Sequence, residues 1–133
     1  MLCIDNEPEI LLGMESLLVR WGCQIYSAGS VKEARKVVEE CGLPDILLVD
    51  YRLDDCIDGI QLVEELRKLS SVPVPAILIT ADKQDSVRDR CRDLDIKIMG
   101  KPVKPASLRA LMTSLTAPVP VKALFEAKQE GAR

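Results

Sequence analysis

Five residues of types able to do chemistry, Asp5, Asn6, Asp50, Thr80 and Lys101, each stand where a short apolar run stops. Leu2-Cys3-Ile4 runs into Asp5-Asn6, Ile46-Leu47-Leu48-Val49 into Asp50, Ala76-Ile77-Leu78-Ile79 into Thr80, and Ile96 to Gly100 into Lys101-Pro102. Gathered in one crevice, these groups could hold a divalent cation and move a phosphoryl group. Two carboxylates ~4 Å apart at an effective dielectric of about 20 repel by on the order of 4 kcal/mol, a cost that a bound cation removes. Magnesium suits such a place, because it keeps waters, binds through one or two carboxylates and bridges to phosphate oxygens without a full protein cage. Lys101 offers a compact positive charge and Thr80 a hydroxyl donor, both suited to the equatorial oxygens of a transferring phosphoryl group.

The elements that must gather them are legible in the pattern. Short apolar runs separated by helical periodicity read as parallel strands buried on both faces, and an open parallel sheet binds its ligand at the carboxyl ends of its strands. Asn6-Glu7-Pro8-Glu9 offers a polar cap, early acids and a first-turn proline, followed by Ile10, Met14, Leu17, Leu18 and Trp21 at helical spacing, with Gly22 closing the helix. Cys23-Gln24-Ile25-Tyr26 alternates as an edge strand would. Ser30 with Glu33 has the capping-box signature, and Val31, Ala34, Val37, Val38 and Cys41 mark one face of a second helix. A strand over Asp45 to Asp50 leads into the loop that ends at Asp58-Gly59, and a third helix follows with Ile60, Val63, Leu66 and Leu69 inward. Asp82 to Leu94 reads as a fourth helix with only Val87, Cys91 and Leu94 apolar, and Pro105 opens a fifth carrying Leu108, Leu111, Met112 and Leu115. Right-handed crossovers turn this series into an α/β doubly wound, five-stranded parallel sheet of order 2-1-3-4-5, with the first and third strands adjacent.

Composition narrows the function classes. A chain of 133 residues is one domain's worth, with the domain predicted over 1–116 and a linker or C-terminal extension over 117–133 that either orders as a short helix or stays loose. A net charge of -3 from 18 basic and 21 acidic residues gives no field for nucleic acid or an anionic membrane, so neither is expected as a partner. The chain has no histidine, which removes the commonest general base and zinc ligand together. Five cysteines, at 3, 23, 41, 56 and 91, show no metal or redox spacing and read as reduced thiols of a cytoplasmic protein. No apolar stretch approaches the ~20 residues of a membrane span, and no signal-peptide pattern opens the sequence.

The segments Ile4-Asp5-Asn6-Glu7, Leu48-Val49-Asp50, Asp58-Gly59, Ile79-Thr80-Ala81 and Lys101-Pro102 together resemble the receiver domain of two-component response regulators, over Leu2 to Thr116. The resemblance implies a flavodoxin-like three-layer sandwich in which Asp50 accepts a phosphoryl group with Mg2+. It places Asp5, Asn6, Asp50 and the backbone carbonyl of Arg52 at the metal, with Thr80 and Lys101 on the phosphoryl oxygens. The donor it implies is a phosphohistidine on a histidine kinase or histidine phosphotransfer domain, and it leaves room for a homodimer. Such a domain is no turnover enzyme, although it catalyses its own phosphorylation and dephosphorylation. The sequence departs from the family at Asn6, where a second acid is usual, and at Ile98, where an aromatic switch residue is frequent. The loop after Asp50 is one residue longer than the commonest pattern, and its Asp54 and Asp55 read as solvated acids. Arg52 and Asp82 flank the expected path of water and could pair across the mouth. The early first strand and Trp21-Gly22-Cys23 suggest the C-terminal receiver of a hybrid histidine kinase. The alternative is a degenerate receiver that only docks or dimerises. A phosphatase with an aspartyl nucleophile usually needs an acid where Arg52 stands, and a flavin site lacks its phosphate loop.

Overall fold

The computed structural model describes residues 1–53, 57–71, 73–81 and 84–116. The expectations for Asp54, Asp55, Cys56, Asp82 and the extension over 117–133 lie outside the described residues. Ten elements alternate in order: β1 (Leu2–Ile4), α1 (Pro8–Arg20), β2 (Tyr26–Ala28), α2 (Val31–Cys41), β3 (Leu47–Asp50), α3 (Gly59–Arg67), β4 (Ala76–Thr80), α4 (Asp85–Asp93), β5 (Lys97–Gly100) and α5 (Pro105–Thr116). The sheet is parallel throughout and its order is β2-β1-β3-β4-β5, the doubly wound arrangement expected.

Strand alternation divides the core between the two faces of the sheet. Leu2, Ile4, Leu47, Val49, Ala76 and Leu78 pack with α2, α3 and α4. Cys3, Leu48, Ile77, Ile79 and Met99 pack with Met14 and Leu18 of α1 and Leu108 and Met112 of α5. Because β1, β3 and β4 are covered on both faces, their sequences are unbroken apolar runs, and each run ends where the cover ends. Arg109 of α5 lies over the Trp21 ring, 5.4 Å from its centroid, and adds a cation–π contact between the two helices of the second layer.

Several elements differ from the sequence reading. β2 begins at Tyr26 rather than Cys23, because its ladder with β1 runs from Leu2↔Tyr26 to Ile4↔Ala28, while Cys23 and Ile25 pack beside α1. Pairing, not alternation, sets that strand. β3 and β5 are likewise shorter than their apolar runs, and α4 opens at Asp85 rather than Asp82. Ser30 caps α2 by accepting the Glu33 N–H at 3.1 Å, but the Glu33 carboxylate reaches back to the Gly29 N–H rather than to that of Ser30. Cys41 is exposed at the end of α2. Leu69 points to solvent with 65 % of its surface exposed, since α3 stops at Arg67 and the inward row ends at Leu66. The complete capping box belongs to α3, where Asp58 accepts from the Gln61 N–H and Gln61 accepts from the Asp58 N–H, each at 2.9 Å.

Candidate functional site

Register places the acids. Cys3 lies opposite Leu48 and Ile4 opposite Val49, so the ladder carried one residue further sets Asp5 beside Asp50. Both acids continue the strand rows of Cys3 and Leu48 and therefore share a face. Both are almost fully buried, Asp5 at 2 % and Asp50 at 5 % exposure. Asp5 is held by its own N–H on the Ala28 carbonyl, 3.1 Å, and its Oδ1 accepts the Glu7 N–H at 2.9 Å. Burial pushes the Asp5 carboxyl above the ordinary aspartate range; the Glu7 N–H pulls the other way, the charge of Asp50 adds to the rise, and Lys101 opposes it.

Thr80 closes β4 and is buried, and its carbonyl accepts the Lys101 N–H at 3.1 Å, which fixes the start of the β5–α5 loop. The Lys101–Pro102 peptide bond is cis. From there the Lys101 ammonium reaches Asp50, with Nζ 3.2 Å from Oδ1. Asn6, Asp50, Arg52, Thr80 and Lys101 line one pocket of about 520 Å³ at the carboxyl edge of the sheet. Four strand ends far apart in sequence thus converge, as their types and spacing predicted. Asp5 differs from the other five residues: it is not among the lining residues, and it meets the site through its charge on Asp50.

Reasoning from sequence missed three residues that also line this pocket, Glu7, Ala81 and Gln84. Glu7 was read as part of the helix start and of the Ile4-Asp5-Asn6-Glu7 segment with no role at the site, although its position directly after Asn6 was a signal; Gln84 had none. Gly59 also gains a reason it lacked. Its N–H donates to the Tyr51 carbonyl at 2.7 Å, and a Cβ there would lie 2.9 Å from Val49 Cγ1 and closer still to the Asp50 carbonyl oxygen. The loop after β3 can close back onto Asp50 only over a residue without a side chain.

Residues 1–115 match the sequence profile of the response regulator receiver domain. The chain belongs to that family. Its similarity to the phyllosphere-induced regulator PhyR of Methylorubrum extorquens is 30 % identity over 113 residues, 84 % of this chain and 41 % of the relative. To the probable transcriptional regulator ycf27 of Guillardia theta it is 29 % over 116 residues, 87 % of this chain and 43 % of the relative. This receiver domain therefore spans less than half the length of the curated relatives it matches. Its fold is shared with the CheY-like response regulator receiver domain protein of Methanospirillum hungatei JF-1, at a TM-score of 0.75, 22 % identity and coverage of 97 % of this chain and 95 % of that one. Among its described residues no helix is long and apolar enough to cross a membrane.

The residues with oxygen donors that line the receiver's pocket are Asn6, Glu7, Asp50, Thr80 and Gln84, with Asp5 buried close to Asp50. That is a hard-oxygen set which fits magnesium and suits neither zinc nor copper. Among the described residues no group of three or more acids, cysteines or histidines gathers as a metal cage, so the ion's remaining positions would fall to water and phosphate oxygens.

Proposed function

We propose that Asp50 accepts a phosphoryl group and that this receiver domain passes the event on as a change of conformation. The observation that carries the reading is the 3.2 Å contact between Lys101 Nζ and Asp50 Oδ1 at the rim of a pocket that Thr80 also lines. An Asp50 oxygen attacks phosphorus, a P–O bond forms, and the bond to the donor breaks. Lys101 stays beside the reacting carboxylate as a counter-charge, and the Thr80 hydroxyl would donate to a phosphoryl oxygen. Asp5, Asn6, Asp50 and the Arg52 carbonyl would hold Mg2+, which when bound neutralises charge gathering on the phosphoryl oxygens. From its family the reading takes the donor to be a phosphohistidine on a histidine kinase or phosphotransfer domain, which agrees with the chain's own lack of histidine and goes with a cytoplasmic location. The division into a receiver over 1–116 and an extension over 117–133 belongs to the same proposal.

Asn6 and Ile98 favour a second reading, a docking or dimerising receiver that is never phosphorylated. Asn6 removes a charge from the metal's side, and Ile98, half-buried against the α2–α3–α4 core, can make no hydrogen bond to Thr80. Incubation with Mg2+ and a small phosphodonor, followed by intact-mass measurement of wild type and Asp50→Asn, separates the two. A gain of one phosphoryl group in wild type alone is expected. No gain at any Mg2+ concentration would leave docking as the function.

A further inference from the structure

The pocket is lined by one more acidic residue, Glu7, to which the resemblance gives no role. Pro8 is the first residue of α1, and a residue before proline is confined to extended backbone; Glu7 accordingly sits at φ −102°, ψ 109° as the N-cap. It makes no side-chain cap bond, so its carboxylate is not used on the helix's own amides. Its N–H is tied to Asp5 Oδ1, which fixes it two residues from the buried acid, and Glu7 lines the same pocket as Asn6, Asp50 and Lys101. Glu9 offers a contrast in the same turn: it is an acid of like charge at the helix start, and it does not line the pocket.

We propose that Glu7 supplies the acidic function missing at Asn6, holding the divalent cation of the Asp50 pocket through a bound water. A carboxylate on a longer arm, set one residue later, stands in for a carboxylate on a short one, and the net charge around the cation is restored. This rests on the reading that the pocket takes Mg2+, and it adds a residue to that site. The extra arm length means contact through water, which magnesium retains readily.

The test is calorimetric titration of the unphosphorylated domain with MgCl2, with far-ultraviolet dichroism to show that each variant is folded. Glu7→Gln is expected to weaken the Mg2+ dissociation constant about three- to ten-fold, as loss of one nearby charge should. Glu9→Gln is expected to change it by less than about two-fold, since its charge is outside the pocket and screened. Asn6→Asp should tighten binding, and in that background Glu7→Gln should lose most of its effect, because the charge is then supplied directly. Wild-type binding that Glu7→Gln leaves unchanged overturns the assignment of Glu7 alone. Equal losses in Glu7→Gln and Glu9→Gln also overturn it, by showing only a diffuse field. Absence of Mg2+ binding in wild type removes the metal reading itself and this assignment with it.

Discussion

Helices α3 and α4 contain nine residues each and lie on the same face of the sheet, yet they are held by different means. α3 buries Gly59, Ile60, Leu62, Val63 and Leu66 and opens with a complete capping box. α4 buries only Val87 and Cys91, with Leu94 partly covered, and its N-cap Gln84 makes no side-chain cap bond. What α4 lacks in area it has in polar ties to α3. Arg90 pairs with Asp58, the cap of α3, at 3.0 Å, and Arg67 from the end of α3 donates to the Val74, Leu94 and Asp95 carbonyls. Burial is diffuse and hard to release in part, whereas a few directional bonds can be exchanged one at a time. The comparison leads to the expectation that α4 opens at a lower free energy than the sheet that positions Asp50.

The largest effect should come from the area-held partner. Leu62→Ala, in a fully buried position, is expected to cost about 2–5 kcal/mol of unfolding free energy, read by urea denaturation, and Val87→Ala distinctly less. Equal losses would break the contrast.

Next come two buried thiols, Cys91 within α4 and Cys3 in β1 on the other face of the sheet. Burial, aided by the charges of Asp5, Glu15 and Asp50, pushes the Cys3 thiol up to about 12, and burial raises that of Cys91 in α4. A folded-state value above the unfolded one means stability that is complete below the ordinary thiol value of 9.0 and falls as pH rises toward 12. The slope for one such group approaches about 1.4 kcal/mol per pH unit, and Cys3→Ala should remove more of it than Cys91→Ala. Thiol labelling at neutral pH sharpens the point. Cys91 should react through opening of α4 at a free energy below that of global unfolding, and Cys3 only with global unfolding.

Arg67→Ala leaves the carbonyls at the end of α4 without their guanidinium and should cost about 1–3 kcal/mol, with faster amide exchange in α4 than in α3. The smallest loss belongs to Arg90→Ala. Its pair with Asp58 is half-exposed and should be worth less than about 1 kcal/mol globally, yet it should still raise exchange in α4. An α4 whose exchange follows α3 in both variants would show the two helices opening as one unit.

Much of this was legible in the sequence, and unevenly so. Buried parallel strands announce themselves because cover on both faces demands apolar residues at every position, and their polar stops mark the sheet's edge; that is why Asp50, Thr80 and Lys101 could be brought together before any coordinates. β2 was misplaced because an edge strand takes its limits from its partner. Leu69 was misjudged because periodicity says nothing of where Arg67 turns away to bind three carbonyls in two segments. Glu7 was missed as a pocket residue because an acid at a helix start already has a common use, and only the cap geometry shows that it does not serve that use here.

The closeness of position 59 to the carbonyl of Asp50 makes this return of the chain a steric gauge. One added methyl group there would press on the main chain of Asp50, the proposed acceptor, while leaving every charged side chain unchanged. The proposed phosphoryl transfer would thus depend on an empty volume about the size of a single carbon as much as on the acids and the lysine. A Gly59→Ala protein would be the charge-neutral way to show it.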